Sequence, residues 1–420
     1  MKTITVQLNL ERGEVRNRFF KVVQRAFRNN INSMATTMMD GPSITENAKQ
    51  FEGKRETVNA QQEKVCTKSK NGCSKLPEPF KGYVETFVAG LYINTFMYLP
   101  FIFWFLNGIL FINGGYIGKT IFLLRLAYIF SQHKSNASTV RGIGVLSMRT
   151  SVMADYLRSY FPIELVKTAE LPPNRNYLIA SFPHGIIGTG VTLNMAVSIG
   201  KWLELFPGIR PKTATLDMYF RTPLMRELLR AWGMVSCSKK ALLLQLKKSC
   251  NPHHPHNLDG YTSNAVALLV GGAHEAIDCH PGSYVLTLKK RKGFVKIAIQ
   301  SGSPIVPSFS FGEVDILDQK DNPPGSKLRN FQLSVKNTLG IAPLIVTGRG
   351  LLKNGIGLLP HRKRIVQVIG APIDVEQMDN PDAKYIDEIH QKFIDNIQEL
   401  FEKYKYEYLE NAESAKLVIN

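Results

Sequence analysis

The sequence predicts an α/β domain that follows an N-terminal, membrane-embedded helical hairpin. From about Ser131 onward, short apolar runs bounded by turn residues alternate with helical patterns, which is typical of a sheet covered by helices. Before that point, residues 86–118 form a run of 33 without a charged side chain. A run of this length can enter a bilayer, because a single span needs about 20 apolar residues.

Residues 1–80 are predicted to form a basic, largely disordered arm. Within it, residues 11–28 place apolar side chains at helical spacing with arginines and lysines between them. This pattern indicates a basic amphipathic helix on an anionic bilayer, or a solvated helix packed on the protein. Residues 29–80 are polar and poor in aliphatic side chains, which favours disorder. Met1–Arg12 lacks the pattern of a secretory signal peptide.

The hairpin is predicted over residues 81–131. Glu85 and Lys119 bound the uncharged run, and Pro100 divides it. A re-entrant hairpin broken near Pro100 fits this length and polarity, with one tilted span or a buried pair of soluble helices as alternatives. Basic residues flank both sides, so the distribution of positive charge does not set the orientation.

The α/β domain is predicted over residues 132–410, followed by a C-terminal tail at 411–420. Short β-rich runs predict four core strands: Tyr177–Ala180, Ala265–Val270, Pro304–Phe309 and Ile365–Ile369. Helical patterns occupy three segments: Leu224–Trp232, Gly293–Gln300 and Tyr385–Tyr404. Asn380, followed by Pro381, is a candidate N-cap for the last of these.

The composition favours an anionic partner. The net charge is +18, from 52 basic and 34 acidic residues. This excess fits a membrane surface, a nucleic acid or a phosphorylated substrate. Nucleic acid is not expected, because no zinc-finger spacing, RNP-like motif or block of five basic residues occurs. The five cysteines are odd in number and widely spaced, which argues against a disulfide framework and favours a reducing, cytosol-facing location.

His184 is the candidate general base. The tetrapeptide Phe182-Pro183-His184-Gly185 follows a buried strand, and the glycine lets the chain turn sharply. A histidine at this point is held rigidly on one side and approachable on the other. The alternative is a histidine in an ordinary turn at a strand end.

Glu275 is the second candidate, because it follows a strand and the pair Gly271-Gly272. Active sites of α/β sheets gather beyond the carboxyl ends of strands. Glu275 could therefore bind substrate hydroxyls, orient His184 or hold an arginine. It could equally be a structural glutamate that caps the next turn.

A run of four cations, 289–292, precedes Gly293 and a predicted helix. A helix N-terminus adds backbone donors and partial positive charge, so the run predicts an anion site suited to a phosphorylated co-substrate such as coenzyme A. A solvated basic face is the alternative. The histidine-rich loop at 250–259 has a surface-loop composition and no second cluster at ligand spacing, so no metal is expected.

Taken in order, these motifs resemble those of the diacylglycerol acyltransferase type 2 family. Tyr160-Phe161-Pro162 is similar to the family's YFP motif, and Arg175-Asn176-Tyr177 with Pro183-His184-Gly185 is similar to its RNY and HPHG block. Gly271-Gly272-Ala273-His274-Glu275 is similar to the GGAxE motif. Residues 291–294, 306–307 and 311–313 are similar to the RxGF…VP…FGE block. The resemblance covers roughly residues 80–408.

The resemblance implies a glycerolipid-acyltransferase-like αβ domain and transfer of a fatty acyl group from acyl-coenzyme A to a glycerolipid hydroxyl. Diacylglycerol is the expected acceptor, with monoacylglycerol, a wax alcohol or retinol as alternatives. Acyl-coenzyme A would be the co-substrate, with no other cofactor. A catalytically weak lipid-binding scaffold is the rival from another class.

The resemblance also assigns roles to residues. His184 would be the base, Glu275 its acidic partner and Gly185 part of an oxyanion site. Arg291, Lys292 and Gly293 would bind coenzyme A. The resemblance implies a location in the endoplasmic reticulum membrane, with the domain facing the cytosol, and on lipid droplets. Whether the chain forms a homo-oligomer is left open.

Phe182 departs from the family, which has histidine at this position, and this puts substrate preference in question. Thr189 stands where glycerol-phosphate acyltransferases have the aspartate that pairs with their histidine.

Overall fold

The structure, a computed structural model, describes residues 76–134, 144–252, 254, 257, 260–350 and 356–420. The predicted arm up to residue 75, including the helix at 11–28, lies outside the described residues. Half of the histidine-rich loop at 250–259 lies outside them as well.

The N-terminal hairpin consists of α1, Phe80–Asn113, and α2, Gly115–Lys134. The predicted break near Pro100 is wrong, because α1 continues through it. A proline removes only one intrahelical donor, whereas reversing the chain needs the positive φ that Gly115 adopts at 54°. A Cβ on Gly114 would lie 2.7 Å from the Cα of Gly118, so glycine permits the close approach of the two helices.

The first half of α1 belongs to the core of the domain. Its buried apolar residues are Val88, Ala89, Tyr92, Ile93 and Phe96. Beyond Pro100, most large apolar side chains of α1 are exposed. Among the described residues, α1 is the one helix whose length and apolarity would let it cross a membrane. The same helix therefore serves as a core element and as a membrane-competent segment.

A seven-stranded sheet forms the centre of the domain. Its strands are β1 Ile163–Lys167, β2 Tyr177–Phe182, β3 Ile209–Thr215, β4 Val235–Ser236, β5 Ser263–Leu269, β7 Ile305–Phe311 and β11 Ile365–Ile369. Their order across the sheet is β1-β11-β7-β2-β5-β3-β4. Five strands, β7, β2, β5, β3 and β4, run parallel, and β11 with β1 runs opposite to them. All four predicted core strands are confirmed.

Two small sheets lie beside the main one. Their strands are β6 Tyr284–Leu286, β8 Asp318–Gln319, β9 Val346–Arg349, β10 Ile356–Gly357 and β12 Leu417–Ile419. Strand β12 pairs with β6, so the segment 411–420, predicted to be a tail, ends in a strand.

Helices cover both faces of the sheet. The remaining helices are α3 Leu146–Arg149, α4 Val152–Tyr160, α5 Thr189–Thr192, α6 Gly200–Leu205, α7 Met225–Ala231, α8 Lys239–Leu246, α9 Gly272–Asp278, α10 Gly293–Ser301, α11 Lys327–Leu339 and α12 Ala383–Tyr408. The predicted helices correspond to α7, α10 and α12. The N-cap of α12 is Asp382 and not Asn380, because the Asp382 side chain accepts from the backbone N–H of Tyr385 at 2.6 Å.

Strand β2 illustrates why the short apolar runs form a central sheet. All six of its residues are buried. Tyr177 and Ile179 pack into one apolar cluster, whereas Leu178, Ala180 and Phe182 pack into the other. A strand covered on both faces reads as a continuous apolar run, and this is the pattern of residues 177–182.

Candidate active site

The candidate site lies beyond the carboxyl ends of β2 and β5. These strands are parallel neighbours, with Ser181 opposite Leu269. The turn that carries His184 and the turn at Gly271 therefore emerge side by side. The backbone N–H of His184 donates to Oε1 of Glu275 at 2.5 Å. The two candidate residues are thus brought together as the strand order requires.

Glu275 contacts the main chain of the histidine turn. Its other carboxylate oxygen, Oε2, accepts from the backbone N–H of Thr287 at 3.1 Å. The side chain therefore bridges the His184 turn and the loop that leads from β6 to α10. Burial raises the pKa of Glu275 to about 8, against the opposing effect of the two N–H donors.

Gly271 makes room for this carboxylate. A Cβ at Gly271 would lie 1.8 Å from Oε2 of Glu275, a distance that no side chain can occupy. Gly272 adopts a φ of 59°, which lets the chain turn from β5 into α9. The two glycines and the glutamate therefore form one structural unit.

The imidazole of His184 is half-buried, and its Nδ1 lies 3.2 Å from the carbonyl oxygen of Gly185. In the tautomer in which Nδ1–H donates to that oxygen, Nε2 is the nitrogen that can accept a proton. Burial lowers the pKa of His184, so the ring is neutral near pH 7. A neutral imidazole is the form that a general base needs.

Glu313 is a buried carboxylate to which sequence reasoning gave no role. Its oxygens accept from the backbone N–H groups of Thr189 at 2.7 Å and Gly190 at 2.6 Å. A Cβ on Gly185 would lie 2.7 Å from Glu313, so this side chain packs directly against the histidine turn. Burial raises the pKa of Glu313 to about 8. The repeated pattern of a strand, a glycine and a glutamate after β5 and β7 was the signal for it.

A cavity of about 500 Å³ opens at the imidazole. Phe96, Met97 and Phe101 of α1 contribute to an apolar wall. His184 and Arg291 face the same cavity. A base, a cationic loop and a membrane-competent helix therefore share one cavity.

The basic run lies at the start of α10. Gly293 is the first residue of the helix, and Lys292 is its N-cap. Nζ of Lys292 donates to Oδ1 of Asp387 in α12 at 2.6 Å. Arg291 forms no salt bridge with any described residue and faces the cavity. Of the two cations proposed for coenzyme A, Arg291 is therefore the one available to an anion.

Tyr160-Phe161-Pro162 lies away from the cavity and connects α1 to the domain. The Tyr160 hydroxyl donates to the carbonyl oxygen of Pro360 at 2.5 Å and accepts from Nε of Arg349 at 3.0 Å. Arg349 in turn donates to the Thr86 hydroxyl at 2.8 Å. These contacts give the motif a structural role among the described residues.

Phe182 also lies away from the cavity. Its ring is fully buried and lies 6.1 Å from the ring of Phe393, centroid to centroid. The side chain of Phe182 points to the face of β2 that α12 covers. Pro183 is buried beside it.

Potential metal ligands do not cluster in the described part of the chain. No group of three or more histidine, cysteine, aspartate or glutamate side chains there could hold an ion. The Cys250 thiol lies 3.8 Å from the carbonyl oxygen of Lys248.

Comparison with known proteins places these features in a family. A family model described as diacylglycerol acyltransferase matches residues 114–420. A diacylglycerol O-acyltransferase 2 of Dictyostelium discoideum is 39% identical over 284 residues, which cover 68% of this chain and 81% of the relative. A 2-acylglycerol O-acyltransferase 1 of Bos taurus is 40% identical over 253 residues, 60% of this chain and 72% of the relative. The solved 1-acyl-sn-glycerophosphate acyltransferase of Thermotoga maritima aligns with 74% of this chain and 97% of its own, but at a TM-score of 0.31 and 11% identity this likeness carries no argument.

Proposed function

This chain belongs to the diacylglycerol acyltransferase family, and from this premise we propose that it transfers a fatty acyl group from acyl-coenzyme A to a hydroxyl of a glycerolipid. Diacylglycerol is the proposed acceptor, and triacylglycerol the product. The observation that supports the proposal is the shared cavity, which joins His184, Arg291 and the apolar side chains of α1.

His184 acts as the general base. Its Nε2 takes the proton from the acceptor hydroxyl while the oxygen attacks the thioester carbon. The tetrahedral intermediate then collapses, the carbon–sulfur bond breaks, and the leaving thiolate takes the proton from the imidazolium. The products of these steps are the acylated glycerolipid and free coenzyme A, and no metal or further cofactor takes part.

Glu275 and Glu313 hold the turn on which His184 lies. Both accept hydrogen bonds from backbone N–H groups of the turn or of the segment that follows it. Backbone N–H groups near Gly185 stabilise the oxyanion, and such donors contribute about 2.7–4 kcal/mol each. The rigidity that these carboxylates impose supports that role, because preorganised donors do not need to reorient during the reaction.

The protein recognises acyl-coenzyme A through the phosphates of the coenzyme. Arg291, with the N-terminus of α10 at Gly293, binds the anionic groups of coenzyme A. Lys292 adds positive charge but is anchored by Asp387. The acyl chain lies along the apolar wall that α1 supplies.

The membrane-competent helix α1 supports an enzyme associated with a bilayer, where diacylglycerol and acyl chains reside. We place it in the endoplasmic reticulum membrane with the domain facing the cytosol, and on lipid droplets.

The test is turnover by the purified full chain in detergent with labelled acyl-coenzyme A and an acceptor panel of diacylglycerol, monoacylglycerol, a fatty alcohol and retinol. We expect triacylglycerol as the main product and a loss of about 10²–10⁴-fold in kcat for His184→Ala. Full activity of this variant would contradict the mechanism. A protein that binds lipid but turns over no acceptor would be a scaffold.

A further inference from the structure

A second groove lies beside the basic loop, in addition to the cavity at His184. Its volume is about 600 Å³, and α12 forms one of its walls. Lys292 lines both the cavity and the groove. A ligand that passes over the loop at Lys292 could therefore occupy both spaces at once.

The groove differs from the cavity in chemistry. Lys289 contributes an exposed cation, while Gln391 and Gln398 contribute amide groups. Ile394 and Ile419 supply apolar surface between these polar groups. Such a lining complements a ligand that combines a phosphate with a heteroaromatic ring. The cation suits the phosphate, the amides suit donors and acceptors at the ring edge, and the isoleucines suit the flat ring face.

His390 also lines the groove. It is 4% exposed, and its Nε2 lies 3.1 Å from the carbonyl oxygen of Leu288. A backbone carbonyl can only accept, so Nε2 carries the hydrogen and Nδ1 is left as the acceptor. Burial lowers the pKa of His390, which keeps the ring in this neutral form. An acceptor of this kind suits the exocyclic amino group of adenine.

The loop between the two spaces is held from both sides. Asp387 fixes Lys292 from α12. The carbonyl oxygen of Asn420 accepts from the backbone N–H groups of Leu288 and Lys289, each at 2.8 Å. A loop held at this many points presents its cations in a fixed arrangement, which lowers the entropic cost of binding a phosphorylated ligand.

We propose that this groove binds the nucleotide end of the acyl donor, with the phosphate on Lys289 and the base against Ile394, His390 and Gln391. The inference rests on the proposed function, because it takes acyl-coenzyme A as the donor. The diphosphate then lies at Arg291 and Lys292, the pantetheine arm enters the cavity, and the thioester reaches His184.

The test compares two donors that share the same thioester. Palmitoyl-coenzyme A carries the nucleotide, whereas S-palmitoyl-pantetheine lacks it. We expect Lys289→Glu to raise the KM for palmitoyl-coenzyme A about tenfold and to leave the KM for S-palmitoyl-pantetheine unchanged, because a reversed charge repels the phosphate. Lys403→Glu is the matched control, since Lys403 is an exposed lysine outside both spaces.

Adenosine 3′,5′-bisphosphate provides a readout that does not depend on turnover. We expect it to bind the purified full chain in a calorimetric titration, to lose that binding in Lys289→Glu, and to compete with palmitoyl-coenzyme A. If it also inhibits turnover of S-palmitoyl-pantetheine, the groove is a separate nucleotide site and the proposal is wrong.

Equal effects of Lys289→Glu on both donors, or none on either, would likewise overturn the proposal. The failure of the proposed function would look different, because then neither donor would be turned over by the unaltered protein.

Discussion

The backbone N–H of His184 donates to Oε1 of Glu275, and the imidazole of His184 makes its contact elsewhere, with the carbonyl oxygen of Gly185. The glutamate therefore positions the histidine through the main chain. This arrangement differs from one in which a carboxylate contacts the ring of the base directly.

We expect Glu275→Gln to lower kcat by about tenfold with little change in the KM for acyl-coenzyme A, because the base would be displaced while the donor site is kept. The amide oxygen can still accept from His184, but the amide nitrogen that then faces the N–H of Thr287 cannot accept a hydrogen bond, as a carboxyl oxygen does. Steady-state kinetics at saturating acceptor measures both constants. An unchanged kcat would show that the bridge between the two loops does not matter.

Gly271→Ala should abolish activity and lower the melting temperature, because the added Cβ would occupy the position of the Glu275 carboxylate. The matched control is Gly108→Ala in α1, where an added Cβ meets no heavy atom within 4 Å. We expect the control to melt as the unaltered protein does. Thermal denaturation in detergent, followed with product formation, separates the two. Retention of activity in Gly271→Ala would place the carboxylate elsewhere.

The buried carboxyl of Glu313 predicts a pH dependence of stability. Its pKa is near 4.5 in the unfolded chain and about 8 in the folded one. The protonated form is therefore favoured by folding, and its contribution is complete at acid pH and is lost as pH rises toward 8. The expected slope is about 1.4 kcal/mol per pH unit for each such group. Glu275 acts in the same direction.

The melting temperature of the unaltered protein should fall between pH 7 and pH 8, a window in which His184 stays neutral. The melting temperature of Glu313→Gln should fall less steeply over this pH range, because glutamine does not ionise. Glu399→Gln, at an exposed position on α12, should follow the unaltered protein. Parallel slopes for Glu313→Gln and the unaltered protein would mean that Glu313 stays ionised when buried.

Phe182→Leu should lower stability and leave the preference among acceptors unchanged. The ring is fully buried against Phe393 and lies outside the cavity. Its replacement removes apolar contacts that contribute about 1–2 kcal/mol. Ile187→Ala is the contrasting variant, because Ile187 lines the cavity. The ratio of kcat/KM values for diacylglycerol and monoacylglycerol measures the preference, and a changed ratio in Phe182→Leu would return specificity to this position.

The elements at the centre of the sheet could be predicted from the sequence because their signals are local. The run 177–182 is apolar throughout, and parallel neighbouring strands deliver their following residues to one edge, so His184 and Glu275 were expected together. The contact of Glu275 with main chain could not be predicted, because it depends on the path of the turn. The Lys292–Asp387 pair joins residues 95 positions apart, and no local sequence pattern predicts it.

The reversal of the hairpin was misplaced for a similar reason. Proline is a strong local signal for a break, but the helix keeps its register because residues before Pro100 pack on the domain. The positive φ at Gly115 decides where the chain turns.

Because α1 is both a core element and a membrane-competent segment, preparing the domain without its membrane-competent part requires a careful choice of what to remove. Removing the whole hairpin would strip Tyr92, Ile93 and Phe96 from the core and open the wall of the cavity. It would also leave Arg362 without Glu85, its ion-pair partner at 2.7 Å. A soluble enzyme therefore has to keep α1 up to Phe101 and lose only the apolar tip, with a short polar linker joining the two cut ends.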